Sequence, residues 1–279
     1  MKFIAIGNEN WGDEYFYRYG EIRAAVKAKY PEIECVVAAG PVASGALIEH
    51  SLAVIRSRYP NDIADEHYYM DSGWFLRNTS RYDAYSRNGN SIFLGEFAAH
   101  EPAVGGRRPN NMYSAVCEAA YLTGIERNAD LVKMCCYAPL FARNGFTQWT
   151  PNLIWFDARS VVKTPNYYAF MMFSNAVGDR YIPANADLPD TVYSSVTASD
   201  EKVYIKLVNA GNAGEDITVS LPLTDRRALV QTLSGKAGDQ NSFDVPDRLK
   251  PAETYVELVG GKITVTLPAM GILVLTCEK

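Results

Sequence analysis

The sequence has few cysteines and histidines for its 279 residues, five and three respectively. Cys135 and Cys136 are adjacent and the three histidines lie far apart, so neither residue type supplies the close group of ligands that a structural zinc needs. The odd number of cysteines and the lack of a Cys-x-x-Cys pair also argue against a disulfide framework. We therefore expect free, buried thiols and no bound metal.

The chain also lacks an excess of positive charge and any long apolar segment. Its 27 basic and 32 acidic residues give a net charge of −5, which excludes the basic surface that nucleic acids require. No apolar run approaches the roughly 20 residues that span a bilayer, and the run at residues 1–6 is too short for the core of a signal peptide. We expect a soluble chain with neither nucleic acid nor membrane as a partner. Cytoplasmic and secreted locations both stay open, since a signal peptide would lie upstream of Met1.

The motifs of two common enzyme classes are missing as well. The segment 7–12 follows a predicted strand, but it lacks the Gly-x-Gly-x-x-Gly spacing and the lysine of nucleotide sites, and Glu9 would repel a phosphate. No Gly-x-Ser-x-Gly sequence provides the exposed serine of an esterase. A nucleotide site and a serine esterase are therefore disfavoured.

What the sequence does contain is, first, an alternation of short apolar runs and helical patterns from Met1 to about residue 178. This order is typical of repeated βα units around a parallel sheet. The first helix is predicted with Asp13 as its N-cap, with an apolar stripe, and with an end before Pro31. The stripe consists of Tyr15, Tyr19, Ile22 and Val26. The five predicted strands are Phe3–Ile6, Cys35–Ala39, Asp62–His67, Ile92–Glu96 and Leu131–Tyr137.

The hydrophobic period changes to two after about residue 179, which predicts half-buried antiparallel strands. Val203, Ile205 and Leu207 alternate with polar residues and with Tyr204 in this pattern. The pair Gly260–Gly261 suits a tight hairpin between Thr254–Val259 and Lys262–Leu267, because glycine tolerates positive φ. We predict an all-β antiparallel sandwich over residues 179–279, following an α/β domain over residues 1–178.

Two glutamates occupy equivalent positions in the predicted α/β domain. Glu9 follows the first strand and Glu96 ends the fourth, and the carboxyl ends of parallel strands are where reactive groups gather. A single glutamate there would be read as a solvated surface residue, whereas a pair meets the requirement of glycoside hydrolysis for two carboxylates. A separation of about 5–5.5 Å would make such an enzyme retaining and a wider one inverting, and sequence alone leaves both open.

Four segments together resemble the α-L-arabinofuranosidases of glycoside hydrolase family 51 in residues, order and spacing. The segments are Ile6-Gly7-Asn8-Glu9-Asn10-Trp11-Gly12, Asp65-Glu66-His67-Tyr68-Tyr69, Phe93-Leu94-Gly95-Glu96-Phe97-Ala98-Ala99-His100 and Asn152-Leu153-Ile154-Trp155-Phe156-Asp157. The resemblance covers essentially the whole chain. It implies a partial (β/α)8 barrel, whose five βα units are barrel strands four to eight, ahead of the sandwich.

The resemblance also implies roles for individual residues. Glu9 would be the acid/base and Glu96 the nucleophile in a retaining release of terminal α-L-arabinofuranosyl groups, without metal or organic cofactor. Asn8 would donate to the 2-hydroxyl of the sugar, and Tyr69 would hydrogen-bond the nucleophile. His67 either lines the site or is a core histidine.

Four further residues are candidates for contacts with the sugar. Trp149 is either a platform for the sugar or loop packing, and Asn152 occupies the place where relatives present an amide or acid to the furanose. Trp11 and Trp74 are candidate walls of the site, although core burial is the preferred reading for both.

The assignment of Glu9 to barrel strand four leaves strands one to three outside this sequence. The two exposed sheet edges would then favour self-association, or complementation by an N-terminal segment. Two other functions stay open. One is a related retaining glycosidase, such as a xylosidase, endoglucanase or galactanase. The other is a catalytically incompetent fragment that binds carbohydrate.

Overall fold

The apolar runs of the N-terminal half form one sheet in the computed structural model of the chain, which describes residues 1–223 and 226–279. Its strands lie in the order of the sequence, and the first pairs with the second, the second with the third and the fourth with the fifth in parallel. They are β1 (Phe3–Ile6), β2 (Glu34–Ala38), β3 (Ile63–Met70), β4 (Ile92–Ala99) and β5 (Val132–Tyr137). All five predicted strands are confirmed, and β3 and β4 extend beyond their predicted ends.

Helices follow these strands, as expected for βα units. They are α1 (Asp13–Lys29), α2 (Ala46–Arg58), α3 (Ser72–Arg77), a 3₁₀ helix (Arg81–Ala84), α4 (Met112–Arg127) and α5 (Pro165–Ser174). Two details predicted for α1 are wrong. Gly12 occupies the N-cap position that we assigned to Asp13, and Ile22 is 50% exposed although it was placed on the buried stripe. Tyr19 is fully buried, as predicted, and Phe16 is fully buried as well.

The remaining strands form three further sheets. A three-stranded sheet contains β6 (Phe141–Arg143), β7 (Ile154–Phe156) and β8 (Val161–Lys163). The antiparallel strands that follow are β9 (Arg180–Tyr181), β10 (Val192–Ala198), β11 (Lys202–Asn209), β12 (Glu215–Ser220), β13 (Arg226–Ser234), β14 (Ala252–Leu258), β15 (Lys262–Leu267) and β16 (Gly271–Glu278). They form a six-stranded sheet, ordered β14-β13-β16-β11-β10-β9, and a two-stranded sheet, β12-β15. Both sheets contribute side chains to one apolar cluster.

The hairpin predicted at Gly260–Gly261 is only partly formed. Both glycines have positive φ, 56° and 78°, as the turn requires. However, β14 pairs with β13 and β15 pairs with β12, so the two strands enter different sheets. A single bridge between Val259 and Lys262 is what joins them at the turn.

The contacts divide the chain into two compact units that are not continuous in sequence. The first consists of Met1–Tyr69, Tyr82–Ala98 and Asp130–Ala138, and the second of Met70–Arg81, Ala99–Ala129 and Pro139–Lys279. The first unit therefore contains almost all of the parallel sheet, and the second contains α4, α5 and the antiparallel strands. The domain boundary near residue 178 follows the change in secondary structure and stays a prediction.

The cysteines and the helices bear on two further expectations. All five cysteines are free, as predicted, and Cys35, Cys117 and Cys277 are buried, but burial was the wrong expectation for Cys136, which is exposed. Within the described ranges, no helix combines the length and the apolarity needed to cross a membrane.

Strand β11 is buried on both faces, contrary to the half-buried strand that its period of two predicts. One face packs Ile205 and Leu207 into the apolar cluster, while α4 contacts the strand as well. Lys206, which the pattern assigns to solvent, is 0% exposed. Its Nζ lies 2.8 Å from Oε1 of Glu126 on α4 and donates to the Thr197 hydroxyl at 2.7 Å. A buried ion pair thus attaches α4 to the six-stranded sheet.

Burial opposes both charges of this ion pair, since it raises the pKa of Glu126 and lowers the pKa of Lys206. We predict that Glu126→Gln lowers the free energy of unfolding by about 3–5 kcal/mol, because it leaves the Lys206 charge buried without its partner. Adding Lys206→Met should recover much of that loss. Urea unfolding measures both values. Glu257→Gln, which removes an exposed pair with Arg227, is the control and should cost only about 0–1 kcal/mol. Equal losses in the two single variants would contradict the prediction.

Candidate active site

Strand β3 presents three polar side chains on one face of the parallel sheet. Side chains alternate between the faces of a strand, so Asp65, His67 and Tyr69 share a face, and Glu66 and Tyr68 lie on the other. Glu66 and Tyr68 are fully buried, whereas the Tyr69 side chain is half-buried. Tyr68 therefore lies on the face opposite to that of His67 and Tyr69.

The loop after β1 carries Glu9 in an uncommon backbone conformation. Its φ is 54°, in the left-handed region that non-glycine residues seldom adopt. The loop is held by Asn10, whose side-chain oxygen accepts the Asn8 amide at 2.8 Å. Gly7, with φ 96°, leaves room for this arrangement, since a β-carbon there would lie 2.9 Å from the Tyr15 ring. The Tyr15 hydroxyl in turn donates to a carbonyl of β1 at 2.7 Å and accepts an amide of β2 at 2.8 Å.

The C-terminal half of β4 carries Glu96 directly after a glycine. A β-carbon on Gly95 would collide with Asp65 and would lie 2.9 Å from Nε2 of His67. Glycine is therefore required at this position by the polar side chains of the neighbouring strand. The hydroxyl of Tyr69 donates to Oε2 of Glu96 at 2.6 Å.

These elements bring Glu9, His67 and Glu96 together. Nδ1 of His67 lies 3.4 Å from Oε1 of Glu9 and 3.7 Å from Oε1 of Glu96. One oxygen of each glutamate and a ring nitrogen all lie within 4.8 Å of one another. The imidazole is 4% exposed, while the Glu9 and Glu96 side chains are 34% and 29% exposed. The carboxylates thus reach solvent above a buried histidine.

His67 has a third acidic neighbour on its other side. Nε2 lies 3.1 Å from Oδ2 of Asp65, which is also buried. Burial acts to lower the pKa of His67, but the hydrogen bond and charge of Asp65, the charge of Glu96 and the contact with Glu9 together raise it above its ordinary value. The pKa of Tyr69 is raised by burial and by its bond to Glu96, so its hydroxyl stays a donor.

Two carboxylates and an imidazole at this spacing can exchange protons and can attack an electrophilic carbon held between the carboxylates. The same three groups also have the spacing of ligands around a cation. Our expectation that the chain uses no metal stays a prediction.

Of the residues predicted from sequence, Glu9, His67, Tyr69 and Glu96 lie together in the first unit, with Asn8 exposed beside Glu9. His67 contacts Glu9, Asp65 and Glu96, and its role at the site stays a prediction. The expected core burial of Trp11 is wrong, since it is 54% exposed.

Trp149 and Asn152 belong to the second unit, and their predicted sugar contacts stay predictions. The Trp149 side chain is 66% exposed. Asn152 is 1% exposed and donates its side-chain amide to the Trp149 carbonyl at 2.6 Å. Trp74, also in this unit, is half-buried against Phe75 and Tyr121.

Sequence reasoning missed Asp65 and Gly95 as parts of this group. A signal for Asp65 was available, because it precedes His67 and Tyr69 at a spacing of two along a predicted strand. No local signal shows that Gly95 lies under Asp65 and His67, since that contact joins different strands.

Comparison with known proteins gives concordant matches along the chain. The family model described as α-L-arabinofuranosidase 1 domain matches residues 1–87, and the one described as α-L-arabinofuranosidase C-terminal domain matches residues 95–271. An extracellular exo-α-L-arabinofuranosidase of Streptomyces chartreusis is 38% identical over 79% of this chain and 25% of its own length. A probable α-L-arabinofuranosidase A of Aspergillus flavus is 31% identical over 100% of this chain and 43% of its own length.

Solved structures agree with these matches. An arabinose-bound family 51 α-L-arabinofuranosidase, MgGH51, is 30% identical with a TM-score of 0.85, over 100% of this chain and 45% of that one. The α-L-arabinofuranosidase of Thermotoga maritima, solved with arabinose, has a TM-score of 0.79 at 16% identity, which shows the shared fold alone. The chain spans less than half the length of the curated relatives it matches.

The raised pKa of His67 predicts a pH-dependent contribution to stability. The folded protein holds this proton to higher pH than the unfolded chain, so the contribution is complete below the ordinary pKa of 6.5 and is lost as the pH rises through the folded pKa. The difference in unfolding free energy between wild type and His67→Gln should therefore shrink from pH 6 to pH 9, by at most about 1.4 kcal/mol per pH unit. Urea unfolding at several pH values measures it. His50→Gln, at an exposed histidine, is the control. A difference that is constant with pH would refute the prediction.

Proposed function

Because the chain belongs to the α-L-arabinofuranosidases of glycoside hydrolase family 51, we propose that it carries the catalytic pair for retaining hydrolysis of terminal α-L-arabinofuranosyl groups from arabinose-containing saccharides. The observation that carries this proposal is the approach to within 4.8 Å of Glu9, in the loop after β1, and Glu96, in the C-terminal half of β4. Both carboxylates are partly exposed, as groups that meet a substrate must be.

The spacing of the carboxylates supports the retaining stereochemistry. Retaining glycosidases hold their two carboxyl groups about 5–5.5 Å apart, and inverting enzymes hold them about 6.5–9.5 Å apart to admit a water molecule. Glutamate oxygens within 4.8 Å of each other match the shorter class. Direct attack by one carboxylate on the sugar therefore fits the site better than attack by an activated water.

The hydrogen bonds support different roles for the two glutamates. Glu96 accepts the Tyr69 hydroxyl through Oε2, which aims the carboxylate and leaves Oε1 for attack on the anomeric carbon. Glu9 lies within 3.4 Å of a ring nitrogen of His67, a partner with which it can share a proton. Glu96 is thus suited to be the nucleophile and Glu9 to be the acid/base, as the family resemblance implies.

The reaction then proceeds in two balanced steps. Glu96 forms a bond to C1 of the arabinofuranosyl group while the bond from C1 to the leaving oxygen breaks, and Glu9 gives that oxygen its proton. In the second step Glu9 removes a proton from water, the water oxygen bonds to C1, and the ester to Glu96 breaks to release arabinose. Asn8 would donate to the sugar 2-hydroxyl, where hydrogen bonds strengthen in the transition state.

His67 would hold the proton that Glu9 gives to the leaving oxygen, because Asp65 fixes the orientation of its ring. An ionised Asp65 can only accept hydrogen bonds, so Nε2 of His67 must carry the hydrogen between them. Nδ1 then either accepts the hydrogen of a protonated Glu9 or carries the proton itself. In both cases one proton is held between His67 and Glu9, available to the leaving oxygen.

The same proposal includes a partial barrel and a sandwich. The parallel sheet with its helices would form strands four to eight of a (β/α)8 barrel, and the two antiparallel sheets would form the C-terminal sandwich. In this arrangement β1 and β5 are sheet edges, and an N-terminal segment carrying further βα units would pair with them. That segment would also supply the remaining contacts with the sugar.

Substitution of each glutamate tests the catalytic assignment, in the longest form of the protein that turns over an aryl α-L-arabinofuranoside. Glu96→Ala should abolish turnover with all leaving groups. Glu9→Ala should lower kcat/KM by roughly 10²–10⁴ with poor leaving groups and much less with activated ones, which need little protonation. Azide should rescue Glu9→Ala and give a glycosyl azide of retained configuration.

The control for this test is Glu21→Ala, at an exposed position of α1. Ordinary activity in either catalytic variant would remove the assignment. Aryl β-xylopyranoside is the comparison substrate, and faster turnover of it would favour a xylosidase.

The sheet edges generate a separate prediction about the 279-residue chain by itself. We expect it to self-associate, so that its measured mass exceeds the 30.9 kDa of one chain, and to have little arabinofuranosidase activity. An added N-terminal segment should restore some activity. Light scattering and the aryl arabinofuranoside assay measure these properties. Ala5→Lys places a charge at an exposed position of edge strand β1 and should reduce self-association. A monomer with full turnover would contradict the barrel assignment.

A further inference from the structure

The second unit contains a cavity of about 300 Å³ that the proposed catalytic residues do not line. This volume is at the lower end of the range of about 300–1,000 Å³ for small-molecule sites. Its walls come from the loop before α4, from Asn144 and Trp155 in the three-stranded region, and from the segment Gln240–Phe243. The cavity therefore joins parts of the chain that are distant in sequence but belong to one compact unit.

Two guanidinium groups line this cavity without neutralising partners. In the part of the chain that the structure describes, neither Arg107 nor Arg108 forms an ion pair with a carboxylate. Arg108 donates through Nη1 to the backbone carbonyl of Glu101 at 3.1 Å. The Glu101 carboxylate is instead bound by Ser72 and Asn111. Burial is the main cause that lowers the pKa of His100 to about 4, and the positive charge of Arg108 is the second cause. The cavity thus carries positive charge in a chain whose net charge is −5.

The position of Arg107 is set by its neighbours. Its guanidinium lies over the Trp155 ring, 5.6 Å from the centroid, and Nη1 lies 3.5 Å from Oδ1 of Asn144. Stacking on an aromatic ring restrains a guanidinium while leaving most of its N–H groups free. Arg107 can therefore present a planar pair of donors, which matches a carboxylate.

The other walls suit a ring rather than a bare inorganic ion. Val104, Val162 and Phe243 contribute apolar surface, and Gln240 offers an exposed amide. A pyranose ring presents C–H faces and hydroxyl groups, which would meet these two kinds of wall. Phosphate ions are usually held by several backbone N–H groups, often at a helix N-terminus, and not by apolar walls of this kind.

We propose that this cavity binds a hexuronate unit of an acidic saccharide, with Arg107 and Arg108 receiving its carboxylate. The choice of a saccharide rests on the proposed function, whereas the negative charge of the ligand rests on the two arginines. The natural substrate would then be a polysaccharide that carries both arabinofuranosyl groups and uronate units. Binding at the cavity would attach the protein to that polymer.

The test is a binding measurement on the 279-residue chain carrying Glu96→Ala, so that no turnover interferes. The probes are digalacturonate and its fully methyl-esterified form, which has the same rings without charge, and calorimetry gives both affinities. We expect the ester to bind at least tenfold more weakly. Arg107→Gln and Arg108→Gln should each weaken digalacturonate binding about tenfold or more, because a hydrogen bond to a charged group is lost.

Arg159→Gln is the matched control, since it removes an exposed arginine of the same unit that does not line the cavity. Equal weakening in this control would overturn the proposal, because it would show a response to net charge alone. Equal affinity for digalacturonate and its ester would also overturn it. Competition by inorganic phosphate at the same concentration as digalacturonate would identify a simple anion site instead.

Folding of each variant is checked by thermal unfolding. Arg107 is exposed, so Arg107→Gln keeps the test decisive if Arg108→Gln does not fold. Failure of uronate binding is distinguishable from failure of the proposed function. The first is measured as affinity in a Glu96→Ala background, and the second as turnover in the Glu9 and Glu96 variants.

Discussion

Two glutamates of like charge, Glu9 and Glu96, have carboxylate oxygens within 4.8 Å of each other, and much of the first unit is arranged around this pair. Ionised together at an effective dielectric constant of about 20, they would repel each other by roughly 3 kcal/mol. The Tyr69 hydroxyl and the His67 imidazole, with its raised pKa, offset that repulsion. Hydrogen bonds and shared protons, and not a greater distance between the carboxylates, thus compensate for their repulsion.

The parallel sheet brings the two glutamates together. Parallel strands end at one edge, so Glu9 and Glu96 meet although they are far apart in sequence. Alternation along β3 then places Asp65, His67 and Tyr69 on one face of the sheet, and Gly95 leaves the space that Asp65 and His67 need. Tyr69 and His67 contact the carboxylates directly, whereas Asp65 acts on them through His67.

The second unit uses charge in two other ways. Lys206 and Glu126 are buried and paired, so their charges attach α4 to the antiparallel sheet. Arg107 and Arg108 face a cavity without a carboxylate among the described residues, so their charges remain available to a ligand. A buried charge is destabilising unless its partner is present, whereas an accessible charge without a partner can bind a ligand from solution. Lys206 is thus a structural charge, while Arg107 and Arg108 are suited to recognition.

The sequence by itself determined the strand periods, the two strand-end glutamates and the motifs that carry the family resemblance, because each is encoded within a few consecutive residues. Only the tertiary structure decided which groups surround those glutamates. The contact of Gly95 with Asp65 joins neighbouring strands, and the burial of Lys206 depends on α4 covering a face that its period assigns to solvent. The strands flanking Gly260–Gly261 separate because each finds its partner in a different sheet. Local patterns report which side chains alternate, whereas the partner that covers each face comes from a distant part of the chain.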